Sequence, residues 1–208
     1  MSLQPTELKQ SMLTRYILLI FGVVLLASTA STCGAVDRPN IVVLLADDLG
    51  YGSLNSYGAD EAHIRTPNID RLAQSGRRFT DANTPSSVCS PTRYGLLTGR
   101  YDWRTNQKHG VLNTTDPLHI ETSRSTIASL LKSAGYRTAA IGKWHLGYGT
   151  ERHDFRQPLS PGPLDIGFDY HFAVPQNHGD AAGVYVRNRE VAGLRSDRIV
   201  PAGTSPSG

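Results

Sequence analysis

Apolar positions along the chain fall into short blocks of two kinds. Asn40-Ile41-Val42-Val43-Leu44-Leu45-Ala46 is a continuous apolar run rich in β-branched residues. That is the pattern of a strand buried on both faces, and hence of a parallel sheet. From Thr66 to Gly76 the pattern predicts a helix, with Thr66 as cap, Pro67 at the first helical position and Gly76 as the stop. A second helix is predicted from Ser125 to Ala134, with Ile127, Leu130 and Leu131 on one face and Gly135 ending it. Arg137-Thr138-Ala139-Ala140-Ile141 then reads as another buried strand. Strands and helices interleaved at these intervals argue for an α/β fold, a mainly parallel sheet flanked by helices.

Beyond about Glu151 the pattern weakens. Residues 157–163 hold Pro158, Pro161 and Pro163 and read as a loop, and Val184 to Val191 predicts a hairpin around Asn188. The last residues, Ala202 to Gly208, carry no closing element, and no internal repeat is visible. Three or four strands make a thin sheet with an unprotected edge. The fold is therefore expected to be incomplete, with a C-terminal part missing.

At the other end, Lys9 and Arg15 precede an apolar run from Ile17 to Ala27, and small residues follow at Ser28-Thr29-Ala30 and Cys33-Gly34-Ala35. This predicts a secretory signal peptide over residues 1–35, with Met12 an alternative start. The run is too short for a stable membrane span, which needs about 20 residues. Thr32 is a poor neighbour for a lipoprotein cysteine at Cys33. Cleavage near Ala35 would send residues 36–208 to the periplasm or the exterior as one domain, with Cys89 its lone cysteine. In an oxidising compartment a lone thiol cannot staple the fold, so its presence calls for a chemical reason.

Composition changes this picture little. The chain is 39% hydrophobic and 19% charged, which excludes fibrous, disulfide-knotted and multi-span membrane classes. The net charge of +3 is spread without a basic block, so no nucleic acid is expected as partner. Lysines number only 4 against 17 arginines, which draws attention to each lysine.

In open α/β sheets ligands gather outside the carboxyl ends of strands, and three groups fall there. Asp47-Asp48 follows the first strand; adjacent carboxylates repel unless a cation lies beside them. Oxygen ligands of this kind suit Ca²⁺ or Mg²⁺, whereas a solvated turn is the plainer alternative. In Cys89-Ser90-Pro91-Thr92-Arg93, Ser90 and Pro91 have the marks of a helix cap and first turn. Cys89 would then lie beside a helix N-terminus, which favours an anion, with Arg93 one turn along. Chance gives only about 0.01 such matches on this composition. Gly142-Lys143-Trp144-His145-Leu146-Gly147 offers an ammonium and an imidazole that exchanges a proton near neutrality.

Together these motifs resemble the sulfatases of the alkaline-phosphatase superfamily. The matches are Arg38 to Ile41 leading to Asp47-Asp48-Leu49-Gly50, Thr66 to Asp70, Cys89 to Arg93, Leu97 to Arg100, Gly142 to Gly147 and Gly167 to Tyr170, in family order over about residues 38–192. The resemblance implies that a separate formylglycine-generating enzyme reads Cys-x-Pro-x-Arg and converts Cys89 to formylglycine. One hydroxyl of the hydrated aldehyde would attack the sulfur of a sulfate ester, and the other would help expel sulfate. It further implies Asp47, Asp48 and modified Cys89 as ligands of Ca²⁺, with Mg²⁺ possible. Arg93 would hold the nucleophile and the carboxylates, Lys143 the sulfate, and His145 a hydroxyl proton. Asn177 falls where relatives place a sulfate-contacting polar residue.

The departure is equally specific. The family's second metal pair, Asp-Asn or Asp-His before Gly, has no match after residue 180: Asp180 precedes Ala181 and Asp197 precedes Arg198. The expectation is an N-terminal sulfatase portion that turns over little alone, on sulfated polysaccharide or an aryl sulfate. The alternatives are a phosphodiester or phosphonate monoester hydrolase of the same superfamily, and a secreted non-catalytic relic that binds sulfated glycans. Asn113-Thr114-Thr115 is an N-glycosylation sequon, meaningful only in a eukaryotic secretory route.

Overall fold

The computed structural model describes residues 38–177 and 184–192. The predicted address segment, residues 1–35, lies outside them. The chain forms two units divided after Leu45. Of the first, residues 38–45 are described; they carry no helix or strand, and Leu44 is 86% exposed. The buried strand expected over 40–46 is thus corrected. Apolar composition supplies the faces of a parallel strand, but its main-chain groups also need a hydrogen-bonded neighbour. This run belongs to none of the described ladders.

Among its described residues the second unit holds three α-helices: α1 (Pro67–Ser75), α2 (Cys89–Thr98) and α3 (Ile127–Ser133). α1 runs from Pro67 to the residue before Gly76, as the sequence predicts. Thr66, however, caps no amide. Its hydroxyl donates to the Asp70 carboxylate at 3.2 Å and accepts the Asn55 N–H at 3.0 Å. α3 begins later than expected, because Thr126 rather than Ser125 is the cap. The Thr126 hydroxyl accepts from the Ser129 N–H at 3.0 Å, and the Ser129 hydroxyl accepts from the Thr126 N–H at 2.8 Å, a reciprocal capping box.

The leucine face predicted for α3 is not the one that packs. Leu130 is 61% exposed, and Ala128, at 2%, is the buried residue. Gly167 explains the choice: at φ +113°, it lies against the helix backbone at Ser129, where any Cβ would collide. Close approach of two backbones selects the small side of a helix.

Among the described residues four strands form one sheet in the order β1 (Ala139–Lys143), β2 (Tyr170–Val174), β3 (Tyr185–Arg187) and β4 (Glu190–Ala192). β1 and β2 are parallel, with Ala139 opposite Tyr170 and Lys143 opposite Val174. The other two pairings are antiparallel, and the β3–β4 turn passes through Asn188 at φ 57°, which fulfils the predicted hairpin. The α/β reading stands on the parallel β1–β2 pair and the α-helices that precede it in the chain, within a mixed sheet. β1 starts two residues later than expected and lies at the edge of the sheet among the described residues; its Ile141 is 73% exposed rather than buried.

The core gathers Tyr94 from α2, Trp144, Leu146 and Tyr148 from the segment after β1, and Phe168 and Val186 around the sheet. Trp144 is 4% exposed, meets Phe168 edge-on at 6.3 Å and donates from Nε1 to the Gly147 carbonyl at 2.7 Å. Gly147, at φ +73°, is required where the chain passes the Pro117 carbonyl. An anchored Trp144 fixes the backbone of its neighbours, Lys143 and His145.

Candidate active site

Three stretches converge where β1 ends. Cys89 is the first residue of α2, preceded by extended Val88, and Lys143 is the last residue of β1. Asp47 and Asp48 lie in a bend, with Asp48 in the left-handed region at φ 53°. The helix-cap reading of Ser90 is corrected, since Val88 holds the cap position and no side chain caps α2. The reason is that the Ser90 hydroxyl has other partners.

Asp47 is the hub. Its carboxylate accepts from the Lys143 ammonium at 2.8 Å and from the Cys89 thiol at 3.5 Å, and Arg93 Nη2 stands 3.7 Å away. Lys143 Nζ also lies 3.0 Å from Cys89 Sγ. Arg93 Nη1 donates to the Lys143 carbonyl at 2.6 Å, which ties one turn of α2 to the end of β1. Its Nε is buried without a partner among the described residues.

The hydrogen bond from Lys143 holds the Asp47 carboxyl below its usual range, against a smaller opposing push from burial. For Lys143 burial alone pulls downward, but the bonds to Asp47 and Cys89 together outweigh it and its pKa is raised. Carboxylate and ammonium are therefore both charged at neutral pH.

His145 is 2% exposed and left-handed, at φ 53°. Its Nε2 meets the Leu112 carbonyl at 2.9 Å, and its own carbonyl accepts from the Ser90 hydroxyl at 2.9 Å. Asn177 is exposed and follows Gln176, whose amide oxygen accepts from Thr114. Two participants escaped sequence reasoning. Ser90 was taken for a cap, and Leu112 acts through its backbone, which no side-chain signature announces.

Asp47, Asp48 and Cys89 place one ligand atom each within 4.8 Å of one another. Two carboxylates suit a hard cation such as Ca²⁺, while sulfur is the poor member of the set. With oxygen in place of that sulfur, the donor set fits. A cavity of about 500 Å³ is lined instead by Arg100, Arg104, Gln107, His119 and Glu121, among others. None of Asp47, Cys89 and Lys143 contributes to its wall.

Comparison with known proteins bears on the family. The sulfatase family model matches residues 39–187. An N-acetylgalactosamine-6-O-sulfatase of Bacteroides thetaiotaomicron is 44% identical over 158 residues, which is 76% of this chain and 30% of that protein. Human arylsulfatase A is 40% identical over 154 residues, 74% of this chain and 29% of its own length. A solved structure from work on the metabolism of multiple glycosaminoglycans by B. thetaiotaomicron superposes with a TM-score of 0.72 at 44% identity, covering 76% of this chain and 32% of that one. The PsFucS1 sulfatase from Pseudoalteromonas sp. gives 0.52 at 37% identity, covering 67% and 26%. The chain thus spans under a third of the length of these curated relatives. With the family match running through Asp47, the Cys89–Arg93 motif and Lys143, the chain belongs to the sulfatase family.

Proposed function

We propose that this protein hydrolyses sulfate esters at the cluster of Asp47, Cys89, Arg93 and Lys143. The reading rests on one observation: two cationic side chains converge on one carboxylate beside a thiol that opens a helix. A sulfate monoester carries one negative charge spread over its non-bridging oxygens. Lys143, whose pKa is raised, stays a donor at neutral pH and can hold such an oxygen. Arg93 Nε, on α2, is a second N–H, buried and without a partner among the described residues. His145, two residues beyond Lys143, is the group that would carry a proton to or from the reacting hydroxyl.

Formylglycine made from Cys89 would supply, as its hydrate, a hydroxyl nucleophile that a plain thiol lacks. A divalent cation, Ca²⁺ by its ligands, would be held by Asp47, Asp48 and the oxygen at residue 89, and would neutralise sulfate charge. Asn177 is assigned to the sulfate-binding side on resemblance. Among the described residues these are the ligands found together, and residues 36–208 alone are expected to hold the cation weakly and release little sulfate. The substrate class is a sulfated glycan, as the name of the N-acetylgalactosamine-6-O-sulfatase relative suggests. Export after cleavage near Ala35 fits such a substrate. Among the described residues no helix is long and apolar enough to cross a membrane.

The test is production of the protein as its native source makes it, together with a formylglycine-generating enzyme, followed by assay on an aryl sulfate and on an aryl phosphate diester. Sulfate release that disappears in Cys89→Ala supports the reading. Preferential phosphate release would move the protein to phosphodiester hydrolysis. Glycan binding with neither product would make it a non-catalytic relic.

A further inference from the structure

Ser90 has no role in the reading above, yet its surroundings are the most constrained in the site. It is 0% exposed, and its hydroxyl donates to the His145 carbonyl at 2.9 Å while accepting the Leu112 N–H at 3.1 Å. The Leu112 carbonyl in turn meets His145 Nε2 at 2.9 Å. Ser90, Leu112 and His145 thus close a ring of three hydrogen bonds. The residue that follows the nucleophile position in the chain is thereby tied to both the backbone and the imidazole of His145.

Two consequences follow from bonding rules alone. A carbonyl oxygen only accepts, so the proton in the neutral imidazole sits on Nε2 and the lone pair on Nδ1. The ring therefore has one tautomer, and the nitrogen able to take a proton is fixed. Second, His145 holds φ 53°, a left-handed conformation that a residue with a Cβ adopts only under restraint. The restraints are the Ser90 hydroxyl on its carbonyl and the Pro175 carbonyl on its N–H, at 2.9 Å each.

We infer that Ser90 is a positioning residue for His145: its hydroxyl holds the left-handed backbone and, through Leu112, the Nε2–H tautomer. The inference rests on the proposed role of His145 for its catalytic meaning, but not for its structural content. It also gives the second position of Cys-x-Pro-x-Arg a task in this chain that the conversion of Cys89 does not require. The step it serves moves one proton between His145 Nδ1 and the reacting hydroxyl, with Nε2–H retained throughout.

Long-range ¹⁵N–¹H correlation of the imidazoles tests this directly in the protein, in Ser90→Ala and in Ser90→Thr. In the parent, His145 should show a pure Nε2–H signature. In Ser90→Ala that signature should shift toward a tautomer mixture while His171, held elsewhere by Tyr148, stays unchanged. Ser90→Thr, which keeps the hydroxyl, should restore the parent pattern. With an active preparation, the alanine change should lower kcat about 10- to 100-fold with little change in KM, the usual scale for a group that orients a functional histidine. An unaltered His145 signature in Ser90→Ala overturns the inference. If Ser90→Ala also disturbs His171, Ser90→Cys keeps the volume while weakening both bonds, and the same criterion applies to it. A locked tautomer in a protein that releases no sulfate would defeat the proposed function and leave the positioning role standing.

Discussion

Two clusters of opposite charges in this molecule look alike on paper and differ in count. Around Asp165 the account is closed. Arg189 meets its carboxylate with two parallel bonds, at 2.7 and 2.9 Å, and the Gly162 N–H supplies a third donor at 2.7 Å. One cation serves one anion, and the pair pins the hairpin turn to the residues preceding β2. Around Asp47 two cations and a thiol crowd one half-exposed carboxylate. The first arrangement is saturated and structural. The second gathers Lys143, Arg93, a thiol and the neighbouring Asp48 carboxylate around Asp47 beside a helix N-terminus, without one-to-one pairing. Shared rather than one-to-one partners, more than the presence of ion pairs, separate a site from a staple.

Substitutions that split activity from stability break or sharpen this contrast. The largest effect is expected at residue 89. Cys89→Ala should cut sulfate release by about 10⁴-fold or more, as removal of a nucleophile does, with little change in melting temperature. Next, Lys143→Ala should cost about 10²- to 10³-fold in kcat, the usual loss for one donor to a developing anion. Steady-state kinetics on an aryl sulfate checks both. A loss of stability as large as the loss of rate would make the Asp47 cluster a staple after all.

A third expectation concerns pH. His171 is fully buried, accepts or donates at 2.9 Å with the Tyr148 hydroxyl, and burial lowers its pKa to about 4. The unfolded chain takes up a proton near 6.5, whereas the folded one refuses it until about 4. Stability is therefore full above about pH 6.5 and falls as pH drops toward 4, by about 3 kcal/mol in all. Urea unfolding across that range should show the decline, and His171→Gln should flatten it. The smallest effect is expected at the closed pair. Asp165→Asn should cost about 1 kcal/mol in chemical denaturation, because both partners are partly solvated, and should leave sulfate release unchanged.

How much of this was legible beforehand depended on where the information sits. Helix α1 announced itself through Pro67 and Gly76, and the hairpin through Asn188, because those residues act on their own backbone. The Cys89–Arg93 and Lys143–His145 groups were legible as rare side chains at motif spacing. Burial was not legible for Ile41 to Leu45 or for Ile141, since a sequence shows what a strand can bury but not which neighbours it has. The packing face of α3 was hidden as well, because it is selected by a glycine about forty residues downstream in another segment. Ser90 was misread for a similar reason. A serine before proline looks like a cap, and only the fold reveals that its hydroxyl is spoken for by His145 and Leu112.

The central claim is that the Asp47, Cys89, Arg93 and Lys143 cluster cleaves sulfate esters after conversion of Cys89. The most direct test is sulfate release from an aryl sulfate by the protein purified from its native source, with the state of residue 89 read from its peptide mass. The account predicts an aldehyde at residue 89 and sulfate release that exceeds phosphate release from an aryl phosphate diester. A preparation that carries the aldehyde yet releases no sulfate, or one that releases sulfate equally well with plain cysteine there, would contradict it.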